Sequence, residues 1–338
     1  MTTTQGAVYD RGYRPYEGER GGRTQARNAL FRASARRALG WRRSWRQKVV
    51  PFGLLAIAVV PAVVNVGAKY LTRDTPAANI DFITYRDYVG VSNALLLFVA
   101  VTAPDILCPD RRQRVLPLIF ARPLTGLDYV LAKVGALTAI LFAFSYLPQI
   151  VLFVGQMLVT KDGALTYARA NAEVLWQVPI AVALLSLWYA AIGVALSSLT
   201  SRRIIAGAMI VGLFLVTSIT SQIIVDSGQQ TGQVREGPVI GPTATSIDES
   251  GNVIVVPPEP TPGATRIILH RGDPNAGQLI NLAALPLVLR DLVFLGHVNR
   301  GDPMSGLAFA GEYAIALYVV VVGGCFVLLF LRYREAET

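Results

Sequence analysis

The sequence contains few residues of the kinds that mark soluble enzymes and secreted domains. Only 16% of its 338 residues are charged, and it has two cysteines and two histidines. Cys108 and Cys325 are too few for a disulfide framework, and neither His270 nor His297 has a second metal ligand at a suitable spacing. These shortages exclude a disulfide-stabilised domain and argue against a metal site.

The sequence also lacks the motifs of an energy-converting enzyme. There is no GxxxxGK[ST] phosphate-binding loop, so the chain is not expected to be an ATPase itself. Acidic residues lie at loop ends and not in pairs within apolar runs, which argues against a membrane enzyme. No ionisable residue is expected deep in a span, which argues against a proton-coupled carrier. We therefore predict no catalytic, cofactor or metal site in this chain.

Apolar residues, in contrast, make up 53% of the chain. A bilayer core of about 30 Å requires roughly 20 apolar residues in helical form. Six runs meet this requirement: 49–70, 88–107, 129–154, 176–199, 204–224 and 313–331. A seventh run, 279–296, contains Pro286, Arg290 and Asp291, and each charge costs about 2.5 to 3.5 kcal/mol at the centre of a bilayer. We predict an all-α integral membrane protein with six transmembrane helices, in which 279–296 is an interfacial or re-entrant helix pair.

The distribution of basic residues predicts the orientation in the membrane. If both termini are cytosolic, 21 of the 31 Lys and Arg residues lie on or near the cytosolic side. Short cytosolic loops are enriched in Lys and Arg, so this arrangement is favoured. We expect a multi-pass protein of the cell membrane with both termini in the cytosol.

The first 48 residues form a basic arm. Apolar side chains in 24–48 recur at three- and four-residue steps among arginines, which predicts an amphipathic interfacial helix whose Trp41 and Trp45 lie at the membrane interface. Nucleic-acid binding is the competing interpretation of such a basic arm. We favour the lipid bilayer as its partner, because the arm runs directly into a membrane span.

The remaining organisation follows from the spans. Residues 49–224 hold five spans and a cytosolic loop at 105–128, and residues 313–338 hold the sixth span and a cytosolic tail. The segment 225–312 is predicted to be a large outer loop. Its β-rich runs at 253–256 and 265–269 suggest a minor hairpin around a Pro-rich break.

The loop at 105–128 combines charge with an exposed apolar run. Asp110 and neighbouring arginines are followed by an apolar stretch at 115–120, and Pro123 ends the short helix that this stretch predicts. Asp128 is suited to the N-terminus of the next span. An apolar patch in a cytosolic loop requires a partner, although an ordinary basic loop is the alternative.

These features resemble the loop between spans two and three of type-2 ATP-binding-cassette (ABC) exporter permeases. An acidic residue, a short apolar helix, an Arg-Pro pair and a Lys in the next helix recur there, and Lys133 holds the last position here. Two departures are Gln113-Arg114, in place of a small Gly-Thr pair, and Gly126, where a basic residue is common.

The resemblance implies a coupling helix that docks in a groove of a separate ABC ATPase subunit, which binds ATP and Mg²⁺. It also implies a second permease chain, identical or homologous. The residues to which it assigns ATPase coupling are Asp110, Val115, Leu116, Leu118, Ile119, Phe120, Arg122 and Pro123.

Polar side chains within the spans are candidates for a transport pathway. Intramembrane amides bind substrates, but they also join helices by hydrogen bonds of about 0.6 kcal/mol, and we favour this second role. The candidates are Asn65, Asn93, Tyr146, Gln149, Gln156 and Gln177.

The leading functional prediction is a permease subunit of an ABC transporter, in the exporter direction. A non-transporting membrane subunit that passes ATPase motion to an outer partner would use the same loop. A secondary carrier is a further alternative, but it predicts internal repeats and buried charge. The sequence does not select a substrate.

Overall fold

The computed structural model describes residues 22–40, 45–75, 83–89, 92–121, 123–161, 163–230, 244–247, 253–256, 280–298 and 310–334. This part of the chain is helical apart from one hairpin. Its elements are α1 (Arg23–Ala38), α2 (Trp45–Thr72), α3 (Tyr85–Val89), α4 (Ser92–Arg112), α5 (Leu116–Phe120), α6 (Gly126–Val159), α7 (Ala164–Ala170), α8 (Val174–Leu199), α9 (Arg203–Gln230), β1 (Ala244–Ile247), β2 (Val253–Val256), α10 (Leu285–Leu295) and α11 (Ala310–Arg334).

Six helical segments in the described residues are long and apolar enough to cross a membrane, as predicted. The second of them comprises α3 and α4. The segments are Phe52–Thr72, Tyr85–Arg112, Gly126–Val159, Val174–Leu199, Arg203–Ile224 and Ala310–Arg334. The chain is therefore a multi-pass membrane protein, because helices of this length and apolarity match the thickness and the apolar interior of a bilayer.

Helix α8 lies at the centre of the bundle and packs against α4, α6, α9, α10 and α11. Small residues allow this central position. A Cβ atom at Gly193 would lie 2.6 Å from Cγ1 of Val99, so glycine is needed where α8 approaches α4. Trp188 is fully buried, stacks on Tyr318 with ring centroids 5.3 Å apart, and donates its indole hydrogen bond to the Leu282 carbonyl at 3.0 Å.

The prediction of one interfacial helix over 24–48 is wrong. Helix α1 ends at Ala38, and Gly40 follows with a φ of +65°. A left-handed glycine just beyond the last turn is a common helix stop, since only glycine adopts this conformation without a Cβ penalty. Trp45 begins α2, its side chain lies outside the described part, and so does Trp41. Helix α1 packs against α6 and α4, so it is part of the bundle.

The predicted outer loop contains a hairpin, but its strand pairing differs from the prediction. Strand β2 matches the predicted run at 253–256, and it pairs with β1, which precedes it, in antiparallel register with Ala244 opposite Val256. The other predicted run, 265–269, lies outside the described residues.

The described part of 279–296 contains helix α10, preceded by the end of a 3-10 turn at Ile280, and residue 279 lies outside the described residues. A turn precedes α10, in which the Asn281 side chain accepts hydrogen bonds from the amides of Ala283 and Ala284 at 3.0 and 3.2 Å. Asp291 on α10 is nearly fully buried, and Arg290 Nη2 lies 2.7 Å from its carboxylate. This pairing explains how two charges fit within an apolar run.

Candidate functional site

The end of α4, helix α5 and the start of α6 lie together at one end of the bundle. We call this the basic end, because it also carries Arg111, Arg112, Arg202 and Arg203. Contacts across this end hold the turn between α8 and α9 against α4. Arg111 donates a hydrogen bond to the Ser198 carbonyl.

Helix α4 ends in a tight hydrogen-bonded turn. The amide of Val115 donates to the Asp110 carbonyl at 3.1 Å, and the amide of Arg114 donates to the Arg111 carbonyl at 3.2 Å. This pair of bonds is the Schellman motif, which requires a left-handed residue, and Arg114 has a φ of +50°. The sequence therefore places a strained arginine where glycine is usual, at the point where it departs from the permease pattern.

Helix α5 turns most of its apolar side chains back toward the bundle. Leu116, Ile119 and Phe120 are half-buried against the core, and the Phe120 ring lies 5.9 Å from that of Tyr129. Leu118, in contrast, is 71% exposed. Of the predicted apolar patch, Leu118 is thus the side chain that a docking partner would meet first.

The start of α6 is closed by a capping box, which confirms the predicted place of Asp128. The Thr125 hydroxyl accepts the Asp128 amide, and the Asp128 carboxylate accepts the Thr125 amide at 3.2 Å. Two of the amides that a helix start leaves without partners are satisfied in this way. The capping box thereby fixes the N-terminus of α6.

A buried carboxylate connects α5's two neighbouring spans. Asp110, which is 2% exposed, receives Lys133 Nζ at 2.6 Å and the Tyr129 hydroxyl at 3.0 Å, both on Oδ2. Arg37 of α1 binds the other carboxylate oxygen. The Tyr129 ring lies 4.8 Å from that of Tyr333 on α11. We call Asp110, Lys133, Arg37 and Tyr129 the Asp110 network; it ties α1, α4 and α6 together beneath the loop.

A second ion pair holds the other end of α1. Arg23 Nε lies 2.6 Å from Asp128 Oδ2, and Arg23 Nη2 donates to Thr125 at 3.1 Å. The hydrogen bond to Asp128 raises the pKa of Arg23, so the guanidinium stays charged. Because Arg23 and Arg37 lie near opposite ends of α1, this helix is anchored to the loop at both ends.

The predicted coupling residues are therefore in different situations. Asp110 is buried and its oxygens have partners within the chain, so direct contact with another subunit is not available to it. Val115 is half-buried, Pro123 is exposed, and Arg122 lies outside the described residues. Sequence reasoning missed Arg23, Arg37 and Tyr129; the available signal was the opposite charge of Asp110 and Lys133 at the facing ends of two neighbouring spans.

Three of the predicted pathway residues meet away from the basic end. Gln156 Nε2 donates to Asn65 at 3.4 Å, and Gln156 Oε1 accepts from Tyr85 and Tyr167 at 2.8 and 2.5 Å. Gln149 donates to the Tyr85 carbonyl at 3.3 Å. These bonds join α2, α3, α6 and α7, which supports helix-to-helix bonding for these amides.

The other candidates are not part of this cluster. Tyr146 is half-buried and stacks on Phe142 with centroids 5.2 Å apart, and Gln177 is buried near the start of α8. The side chain of Asn93 lies outside the described part. Within the cluster, Asn65 Nδ2 and Gln149 Oε1 are buried without a hydrogen-bond partner. An amide donor and an amide acceptor thus retain binding capacity there.

Among the residues that the structure describes, no group of three or more His, Cys, Asp or Glu side chains could hold a metal ion. A scan against known protein families found no match, and a search of curated proteins found none either. The class that the fold defines is a six-span membrane protein with an anchored short helix at its basic end.

Proposed function

We propose that this chain is the permease subunit of an ABC transporter, acting in export, and that α5 is its coupling helix. The partner is a separate ATPase subunit that binds ATP and Mg²⁺, and a second permease chain completes the pathway. The basic end faces the cytosol, both termini are cytosolic, and the protein lies in the cell membrane. The chain itself hydrolyses nothing.

The observation that carries the proposal is the way α5 is mounted. A coupling helix must present an apolar contact to its partner and pass displacement to the spans. Helix α5 presents Leu118, follows α4 through the Schellman turn, and contacts α6 through the rings of Phe120 and Tyr129, whose centroids are 5.9 Å apart. The Asp110 network ties α4 to α6 on either side of α5, so a displacement of α5 is expected to reach both spans.

The test is to purify the tagged chain from its own cells in mild detergent. We expect peptide mass spectrometry to find an ATPase with a phosphate-binding loop, together with Mg²⁺-dependent ATP hydrolysis. Leu118→Glu is expected to weaken retention of the ATPase at least about 30-fold, because a charge would be buried in a desolvated contact. Leu118 is exposed, so the change leaves the fold of the permease intact.

The matched control is Leu165→Glu. Leu165 is 65% exposed on α7, a short helix at the opposite end of the bundle. The Leu165→Glu variant should therefore retain the ATPase fully. If Leu118→Glu retains the ATPase as well as Leu165→Glu does, α5 is not the docking helix. If the unaltered chain brings down no ATPase, the transporter proposal itself is wrong.

Orientation has its own test. Gln113 and Thr166 are both exposed and lie at opposite ends of the bundle. In intact cells, a membrane-impermeant thiol reagent should label Thr166→Cys and should not label Gln113→Cys. The reverse labelling pattern would place the basic end outside the cell, where α5 could not contact a cytosolic ATPase.

A further inference from the structure

An apolar groove runs along the bundle between α2, α4 and α9. It has a volume of about 920 Å³ and is lined by side chains that include Leu54, Ile57, Leu97 and Val101. A Cβ atom at Gly207 would lie 2.8 Å from the Ala100 carbonyl oxygen, so α4 and α9 touch through their backbones there. This close contact forms one wall of the groove, and the other side faces the bilayer.

At the basic end the groove meets a second cavity of a different character. This cavity, of about 990 Å³, is lined by Arg112, Arg202 and Arg203 with Cys108 and Pro109. Arg203 and Ile204 line both cavities, so the apolar groove and the basic cavity are adjacent at the first turn of α9. Ile204 is 88% exposed, which places a bare apolar side chain beside the arginines.

The basic cavity carries more positive than negative charge among the residues that the structure describes. Arg203 pairs with Asp105 at 2.8 Å. Arg112 and Arg202 are exposed and form no ion pair with any residue that the structure describes. The N-terminus of α9 adds the positive end of its helix dipole to the same place. The cavity is therefore suited to an anion.

We propose that the two cavities are one binding site for an anionic glycerophospholipid. Its headgroup phosphate lies among Arg112, Arg202 and Arg203, and an acyl chain lies in the groove between α2, α4 and α9. A basic cavity beside an apolar groove in a membrane-spanning region matches both halves of such a lipid, whereas a soluble anion would leave the groove unfilled. This inference needs membrane insertion but neither the ATPase nor transport.

The test is native mass spectrometry of the detergent-solubilised protein titrated with palmitoyl-oleoyl phosphatidylglycerol or with phosphatidylcholine of the same chains. We expect the first phosphatidylglycerol to bind at least about ten-fold more tightly. The double change Arg112→Ala with Arg202→Ala should weaken phosphatidylglycerol binding about 25-fold, since each basic side chain near an anionic lipid contributes a factor of about five to the affinity. The control is Arg332→Ala with Arg334→Ala, two exposed arginines on α11 at the same end, which should leave binding unchanged.

The groove is tested without altering charge. Gly53 lines the groove and no atom lies within 4 Å of a Cβ built there, so Gly53→Leu is expected to place its side chain in the groove. This change should weaken phosphatidylglycerol binding about ten-fold, because displacing two acyl-chain methylenes from the groove costs about that factor in affinity. Unchanged size-exclusion profiles for all variants show that folding is intact.

Three results would overturn the proposal. If both arginine pairs weaken binding equally, the effect is general surface charge. If millimolar inorganic phosphate displaces the lipid and Gly53→Leu has no effect, the site takes only an anion. If Ile57→Cys, at a position 64% exposed in the groove, forms disulfide-linked dimers in membranes, a second copy fills the groove in place of a lipid.

Discussion

The charge balance of the Asp110 network predicts an unequal response to the loss of its members. One carboxylate faces two cations, Lys133 and Arg37, and Asp110 and Lys133 are 2% and 1% exposed. Asp110→Asn leaves a buried ammonium and a guanidinium without an anion, whereas Lys133→Met leaves Asp110 balanced by Arg37. Breaking a buried pair by removing one partner costs about 3–5 kcal/mol.

We therefore expect Asp110→Asn to lower the free energy of unfolding by about 3 kcal/mol, since asparagine still accepts one hydrogen bond. Lys133→Met should cost less, and Asp110→Leu with Lys133→Met should recover most of the loss, because an apolar pair carries no desolvation cost. The measurement is unfolding in mixed micelles with increasing dodecyl sulfate, followed by tryptophan fluorescence, to which the buried Trp188 contributes.

The control is Asp105→Asn at the same end of α4. Asp105 is 19% exposed and its partner Arg203 is 47% exposed, so the loss should stay below about 1 kcal/mol. Two outcomes would refute the reasoning: a cost for Asp110→Asn no greater than that of Asp105→Asn, or a greater cost for Lys133→Met than for Asp110→Asn.

Two further predictions concern backbone positions. Arg114→Gly should raise the free energy of unfolding by about 0.5–1 kcal/mol in the same assay. Glycine relieves the left-handed strain at φ +50°, and this gain exceeds the cost of the greater entropy of the unfolded chain. A lower free energy of unfolding would mean that contacts of the arginine side chain outweigh the strain. Gly207→Ala should cost about 1–3 kcal/mol, because its Cβ would meet the Ala100 backbone carbonyl at 2.8 Å, whereas Gly212→Ala, with no atom in reach, should be nearly neutral.

The spans could be predicted from sequence because each needs its own length of apolar residues, and no tertiary information enters that requirement. Their ends could not. The predicted span 129–154 extends over Gly126–Val159, since a capping box starts the helix before the apolar run begins. The stop at Gly40 was readable, because a glycine after the last periodic residue is a helix-end signal, but the continuing pattern of aromatic residues obscured it.

The candidate site was predictable in outline and not in detail. The helical turn, the break and the next helix follow from Pro123 and Asp128, which are local signals. The burial of Asp110 is not local, because it depends on Lys133 of another span and on Arg37, which is 73 residues away along the chain. The exposure of the predicted apolar patch likewise depended on which side chains the bundle would cover. The bundle partly buries Leu116, Ile119 and Phe120.

The contacts at the basic end determine which parts of the bundle can move together. Helix α1 is tied to α4 by Arg37 and to α6 by Arg23, and α5 follows α4 directly through the hydrogen-bonded turn at Arg114. Helix α4 contacts α9 both through small residues at Gly207 and through the Arg203–Asp105 ion pair at 2.8 Å. The proposed lipid groove borders this contact. A lipid bound there would touch both α4 and α9, so lipid occupancy and the relative position of these two helices are expected to influence each other reciprocally.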